Sequence, residues 1–335
     1  MIWNKGFTYK IYGRAVDPAS WADKETFSIV NGDISKQDND LRESATIEVQ
    51  DYDPDREMWI RVYMDISQNN DSYHVPIFTG LATSPSKDID GNAVSTKMEC
   101  YSVLKPLDDV LLPRGWYARA YREPNRILDE LLEPCFAPVT YGEELHELTN
   151  HIIAEDNESN LSMLDKVLEA LNLVLKIDGN GRITITTPST EPVATFTSGD
   201  VDIIEPKLSY SNDWFSCPNV VMAIDEELMA IARDDDENSP LSTVNRGREI
   251  WHVEDGVNLA ENDTLAEYAR RLLTKLQDVK ETLSYTRAYV PDIGVGDVIR
   301  LRYNQFAGLY RITRQKFDMD GSVSEEVARL YEQTR

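Results

Sequence analysis

The stretch Ile299-Arg300-Leu301-Arg302-Tyr303, followed by Gly308-Leu309 and Asp318-Met319-Asp320-Gly321 and ending at Leu330-Tyr331, repeats landmarks met earlier in the chain. The earlier copy reads Ile60-Arg61-Val62-Tyr63, Gly80-Leu81 and Asp88-Ile89-Asp90-Gly91, and ends at Cys100-Tyr101. Internal repetition of this kind is the first thing to test in a sequence. Asp-x-Asp-Gly between alternating segments is a hairpin signal: Gly91 and Gly321 supply a positive φ, and Asp88, Asp90, Asp318 and Asp320 bond the turn backbone. Two hairpins preceded by strands of the same character predict two copies of one antiparallel unit.

Outward from the early copy, Phe7 to Tyr12 alternates apolar and polar residues and ends at Gly13. Further strands are expected at 26–30, 45–50, 58–65, 75–83 and 94–101, separated by turn-rich segments such as Asp51-Tyr52-Asp53-Pro54-Asp55. Strands at this spacing predict a small sandwich or barrel over residues 1–115.

The pattern then changes. Pro124 to Leu132 places apolar residues at helical spacing with Pro near the start and Pro134 after the end. A second helix, 161–172, carries Leu161, Leu164, Val167, Leu168 and Leu171 on one face, with Ser159 or Asn160 as cap. It leads into a hairpin whose turn is Asp178-Gly179-Asn180-Gly181. Helix and hairpin predict a small α+β module over 116–190, and Pro188-Ser189-Thr190-Glu191-Pro192 reads as its exit linker.

Strands resume at 194–197, 207–210 and 219–224, before the charged, breaker-containing run Arg233 to Pro240, which reads as a solvated loop. A third helix, 264–276, is expected to start at Asn262 or Asp263 and to turn Leu265, Tyr268, Ala269, Leu272 and Leu276 inward. The fold class is therefore α+β and mainly β, with a second antiparallel barrel and one helix over 191–335.

A chain of 335 residues suits two or three domains. No apolar run approaches the roughly 20 residues needed to span a bilayer, and no secretory apolar region follows the first residues. Cys100, Cys135 and Cys217 lie far apart and read as buried thiols, with neither a disulfide framework nor a cysteine zinc site. The net charge of −25 is spread along the chain, at −7, −7 and −11 over the three segments. Nucleic-acid binding requires the opposite sign, so direct DNA affinity and adhesion to anionic membrane are not expected.

No catalytic constellation emerges. His146 and His151 stand at i and i+5, about 140° apart on a helix, where a helical zinc site needs i and i+4. Counted from Asp88, a calcium loop would place its bidentate acid at Glu99, but the intervening residues read as strand. There is no nucleophile elbow or phosphate-binding loop, and Gly294-Val295-Gly296-Asp297 lies between strands. His74 and His252 read as structural. Neither enzyme activity, cofactor nor metal is expected.

The order of elements resembles the baseplate hub proteins of bacteriophage tails and of phage-derived particles. The resemblance is carried by the leucine-rich helix and Asp-Gly-Asn-Gly-Arg hairpin at 161–186, by Pro218-Asn219-Val220-Val221, and by Asn238-Ser239-Pro240-Leu241-Ser242 leading to Gly247-Arg248. It continues through Ala266-Glu267-Tyr268-Ala269-Arg270-Arg271-Leu272-Leu273, Gly296-Asp297-Val298-Ile299 and Gly308-Leu309-Tyr310-Arg311-Ile312. The resemblance implies two tube-type barrels in one chain with smaller domains beside them. It further implies a homotrimer whose six barrels form a ring between the hexameric tail tube and the central spike, in contact with tape-measure and other baseplate proteins. The chain would be made in the bacterial host cytoplasm and act in the tail baseplate. Some relatives extend into a wall-cutting hydrolase, whereas this sequence ends at Arg335, shortly after its last strand. A glycan-binding or glycan-cleaving all-β protein is the alternative, supported by 6 Trp and 16 Tyr.

Overall fold

The computed structural model describes residues 8–50, 52, 54, 56–68, 70–83, 85–90, 93–142, 145–197, 204–212, 214–225, 228–255, 257, 264–277, 281–303, 306–319 and 323–333. Strands take up 51% of the chain and helices 15%, so it is mainly β. The chain forms two compact units, one of residues 1–209 with 284–335 and the other of residues 210–283.

In the first unit, six strands close a ring. In spatial order they are Thr8–Val16, Met58–Gln68, Asp71–Ala82, Ala93–Ser102, Glu43–Gln50 and Asp23–Gln37, which returns to the first. Every pairing around it is antiparallel. Alternation explains it: Ile60, Val62, Met64 and Ile66 are all buried on one side of their strand, and Ala45, Ile47 and Val49 on one side of theirs. Each such Ile, Val or Met side chain contributes about 1.5–3 kcal/mol on burial. Phe78, Met98 and Cys100 add to this core, which Phe317 and Tyr289 from the late part of the chain also join.

The late strands repeat the order. Pro192–Thr197, Val298–Tyr303, Phe306–Asp318, Val323–Gln333, Thr282–Ala288 and Ile204–Ser211 lie side by side. Ranked by position in the sequence, they follow the same path as the first six. The repeated landmarks therefore fall on equivalent strands. Their register differs by two residues: Gly80 faces Ile60, whereas Tyr310 faces Ile299 and Gly308 faces Leu301. A slip of two keeps every side chain on its own face of the sheet, whereas a slip of one would invert them all. One direction also differs, since 192–197 runs parallel to 298–303 while the corresponding early pair is antiparallel.

A third part of this unit holds the helices Lys105–Asp109, Pro124–Leu132 and Asn160–Ala170, with a three-stranded sheet of Val139–Tyr141, Val174–Ile177 and Ile183–Thr186. Pro124 opens its helix, and Ile127, Leu128, Leu131 and Leu132 are buried. The Ser159 hydroxyl accepts from Ser162 N–H and caps the next helix. That helix ends where Asn172 takes a left-handed φ of 51° and Leu173 N–H bonds back to Leu168 O. Its core is continuous with the ring through Val16, Trp59 and Val103.

The second unit pairs Val220–Asp225 with Leu228–Arg233 and Trp251–Glu254, and lays the helix Leu265–Gln277 on one face. Ala269 and Leu273 are its buried contacts, with Leu265, Tyr268, Leu272 and Leu276 packed around them. The cap sits later than expected. Glu267 N–H donates to Thr264 Oγ1, and Thr264 N–H donates to Glu267 Oε2, a reciprocal capping box. Asn262 and Asp263 lie outside the described residues.

Candidate assembly surface

The two six-stranded arrangements are joined edge to edge. The far half of the 23–37 strand stays paired with the 43–50 strand of its ring on one side and on the other pairs antiparallel with the end of the 306–318 strand. Asp33 faces Asp318, Ile34 faces Phe317, Ser35 faces Lys316, Lys36 faces Gln315 and Gln37 faces Arg314. Ile34 and Phe317 are almost wholly buried, and Tyr289 stacks on Phe317 at 4.1 Å between centroids. The Tyr9 hydroxyl donates to Met319 O at 2.9 Å, tying the first strand of the ring to the same seam.

Charged groups buried at the seam are paired with one another. Lys36 Nζ lies 2.7 Å from Glu43 Oε1 with both side chains largely out of water. Burial pushes the Glu43 carboxyl up, and Lys36 opposes that shift without cancelling it. Arg287 and Glu326, fully buried, form a two-point pair, and Gln315 Nε2 donates to Glu326 Oε1 at 2.7 Å and to Ile293 O at 3.0 Å.

The Asp178-Gly179-Asn180-Gly181 turn is a docking element as well as a hairpin. Gly179 O accepts from the Thr79 hydroxyl at 2.8 Å, and Asn180 O accepts from Trp21 Nε1 at 2.9 Å and Arg61 at 3.1 Å. A Cβ on Gly179 would stand 1.8 Å from Pro76 O, so only glycine allows this approach. From the other side Lys176 Nζ reaches Asp297 Oδ1 at 2.6 Å. The α+β part is thus fastened to both sets of strands, around a cavity of about 760 Å³ that Lys36, Glu43, Lys176, Tyr289 and Asp297 help to line.

Asp88 and Asp90 lie within the strand Ser86–Asp90, hydrogen-bonded to Ala93–Lys97, and Asp318 ends its strand at the surface. Gly91, Asp320 and Gly321 lie outside the described residues, and so does any test of their φ. Among the described residues no group of three or more His, Cys, Asp or Glu is placed to hold a metal. His151 Nδ1 accepts from Ala120 N–H, His74 pairs with Asp65 and His252 with Glu254. Cys100 and Cys217 are buried and Cys135 is half-buried, all as free thiols.

In the second unit the Pro218-Asn219 motif acquires a role that spacing does not give. Asn219 is fully buried: its Nδ2 donates to Leu241 O and Arg248 O, and its Oδ1 accepts from Ile250 N–H at 2.7 Å. One amide pins both ends of the 241–250 segment, including Gly247, whose φ of 61° ends a helical turn.

No family model matches the chain, and no curated protein matches it by sequence. Solved structures do. The 43 kDa tail protein of prophage MuSo2 from Shewanella oneidensis is 12% identical, with a TM-score of 0.67 over 98% of this chain and 100% of that one. The tail protein from Neisseria meningitidis MC58 is 15% identical, with a TM-score of 0.66 over 96% of each chain. Prophage tail protein gp18 from Listeria monocytogenes EGD-e is 13% identical, with a TM-score of 0.54 over 97% of this chain and 95% of that one. At such identities the likeness is one of backbone path, and the fold of this chain is that of the phage tail proteins.

Proposed function

We propose that this chain is the structural baseplate hub of a phage or phage-derived tail, working as a homotrimer whose six barrels form a ring that joins the hexameric tail tube to the central spike. The observation that carries this reading is the repeated six-strand order within one chain, with the two copies joined by an edge pairing. Two like modules per chain are what a trimer needs to match a six-fold partner, because three copies then offer six equivalent faces. The full-length likeness to phage tail proteins supports the setting.

In this reading the chain divides functionally into a first barrel (1–115), a bridging α+β module (116–190) and a second barrel region (191–335). The turn residues Asp88, Asp90, Gly91, Asp318, Asp320 and Gly321 are structural. The role is mechanical and not enzymatic, and the partners are tail tube, spike, tape-measure and other baseplate proteins. The −25 charge suits a conduit for DNA, since like charge keeps phosphate from sticking to its wall.

Light scattering coupled to gel filtration, with and without tube and spike proteins, tests the reading. A trimer alone or on meeting either partner is expected. A chain that stays monomeric with both present overturns it.

A further inference from the structure

One cavity reverses the charge of the surface around it. It measures about 750 Å³ and lies in the α+β part, where residues 119–122 run beside 149–151. Arg119, Tyr121, Arg122, Thr149, Asn150 and His151 line it, and no acidic residue does, in a chain where Asp and Glu outnumber Lys and Arg by 59 to 34.

Its hydrogen-bond donors are held ready. The Ala120 N–H donates to His151 Nδ1 at 2.9 Å, so the neutral ring carries its proton on Nε2, on the side away from that bond. Arg122 Nη1 donates to Glu130 Oε2 at 2.8 Å, which fixes the guanidinium by one corner and leaves its other N–H groups without a partner among the described residues. Arg119 is exposed and makes no ion pair or hydrogen bond with any described residue. Tyr121 stands beside them at a φ of 58°, a left-handed conformation that strains any residue with a Cβ. Its N–H is tied to Leu148 O at 2.9 Å, yet Tyr121 is 74% exposed, so the strain serves no packing of its ring. Tyr117 and Ile153, which face each other on a short antiparallel ladder, extend the exposed apolar surface, and the Tyr117 ring meets the His151 ring edge to face at 5.4 Å.

We propose that this cavity docks an acidic peptide segment of a partner protein: a carboxylate enters among Arg119, Arg122 and His151, and an apolar side chain next to it rests on Tyr117, Tyr121 and Ile153. Charge complementarity selects the occupant. Guanidinium groups take carboxylate through paired, charge-assisted hydrogen bonds, and Arg and Tyr are the residues that concentrate binding energy at interfaces. A nucleic acid also offers anionic oxygens, but its charge extends past the pocket into the field of a chain carrying −25. A single carboxylate in the pocket is screened from charges beyond about 8 Å in physiological salt. The site lies wholly within the α+β part and does not depend on the ring proposed above.

Fluorescence polarisation with the full-length chain tests it. The probes are short labelled peptides that pair Asp or Glu with Leu or Tyr, and a matched set with Asn and Gln in place of the acids; inorganic phosphate and single-stranded DNA serve as competitors. The acidic set is expected to bind and the amide set to stay free. Arg119→Glu is expected to weaken binding about tenfold or more, the scale of one lost charge-assisted hydrogen bond, at unchanged Tm. Tyr121→Gly relieves the left-handed strain, so Tm is expected to hold or rise while affinity falls. Equal binding of the two sets, binding of neither, or acidic binding untouched by both variants overturns the proposal. Phosphate or DNA that competes at concentrations no higher than the peptides overturns a peptide as the occupant. Self-association of the chain that Arg119→Glu abolishes gives the pocket to a second copy and overturns the separate partner.

Discussion

Arg287 and Glu326 grip each other at two points where neither side chain is exposed to water: Nε to Oε2 at 2.9 Å and Nη2 to Oε1 at 2.5 Å. The guanidinium also donates to Ala288 O and Ile293 O, and the carboxylate accepts from Gln315 and Ser324, so both charges are solvated by the protein itself. Such a pair costs nearly as much to desolvate as it returns in attraction. Its value is geometric, since it fixes three segments of the second strand set at one point.

Removing half of that pair is expected to be severe. Glu326→Ala strands a buried guanidinium and is expected to lower stability by about 3–5 kcal/mol. The double replacement Arg287→Met with Glu326→Leu removes both charges and is expected to recover most of the loss. Urea unfolding of the three proteins checks it; a double variant no better than the single would refute the account.

The glycine at 179 gives a second test. Gly179→Ala sets a methyl group against the Pro76 carbonyl, and overpacking of this kind costs about 1–3 kcal/mol. Faster proteolysis within 116–190 and a lower Tm are expected. Asn180→Ala is the control, because the bonds made there use the backbone carbonyl. It should change Tm little.

Asn219 predicts a local defect. Asn219→Ala leaves Ile250 N–H and the carbonyls of Leu241 and Arg248 without their side-chain partner, and each buried unsatisfied group costs about 1–3 kcal/mol. Hydrogen exchange is expected to accelerate in 210–283 and not in the ring strands, because all three hydrogen bonds of this amide lie inside that unit.

Acid should weaken the α+β part. Glu130 accepts from Trp116 Nε1 and from Arg122, which hold its carboxyl below the usual range. Burial pushes Glu158 up, but the Ser162 hydroxyl, Glu155 N–H and Lys166 together bring it below its ordinary value. A carboxylate with a depressed folded pKa contributes stability that is present above its unfolded value and lost as pH falls through the folded one. Stability is therefore expected to decline as pH drops below about 4, the ordinary carboxylate range. Glu130→Gln with Glu158→Gln should flatten the dependence in urea titrations across that range.

The sequence by itself determined the main strands of the first ring, the two long helices and the repeated landmarks, because these rest on short-range physics. Alternation of Ile60, Val62, Met64 and Ile66 can only be a half-buried strand, and the spacing from Leu161 to Leu168 only a helical face. Both Asp-x-Asp-Gly stretches fall where one strand hands over to an antiparallel neighbour, from 86–90 to 93–102 and from 306–318 to 323–333. What the tertiary structure decided is which strand neighbours which. That the far half of the 23–37 strand serves its own ring on one edge and the seam on the other depends on partners nearly 300 residues away, which no local pattern encodes. The same holds for side chains whose role is set by what meets them: Gly179 reads as a turn residue until Pro76 O is against it, and Asn219 reads as a strand start until three backbone groups converge on its amide. Arg287 and Glu326 look in sequence like two more surface charges, and only closure of the sheet removes the water from around them.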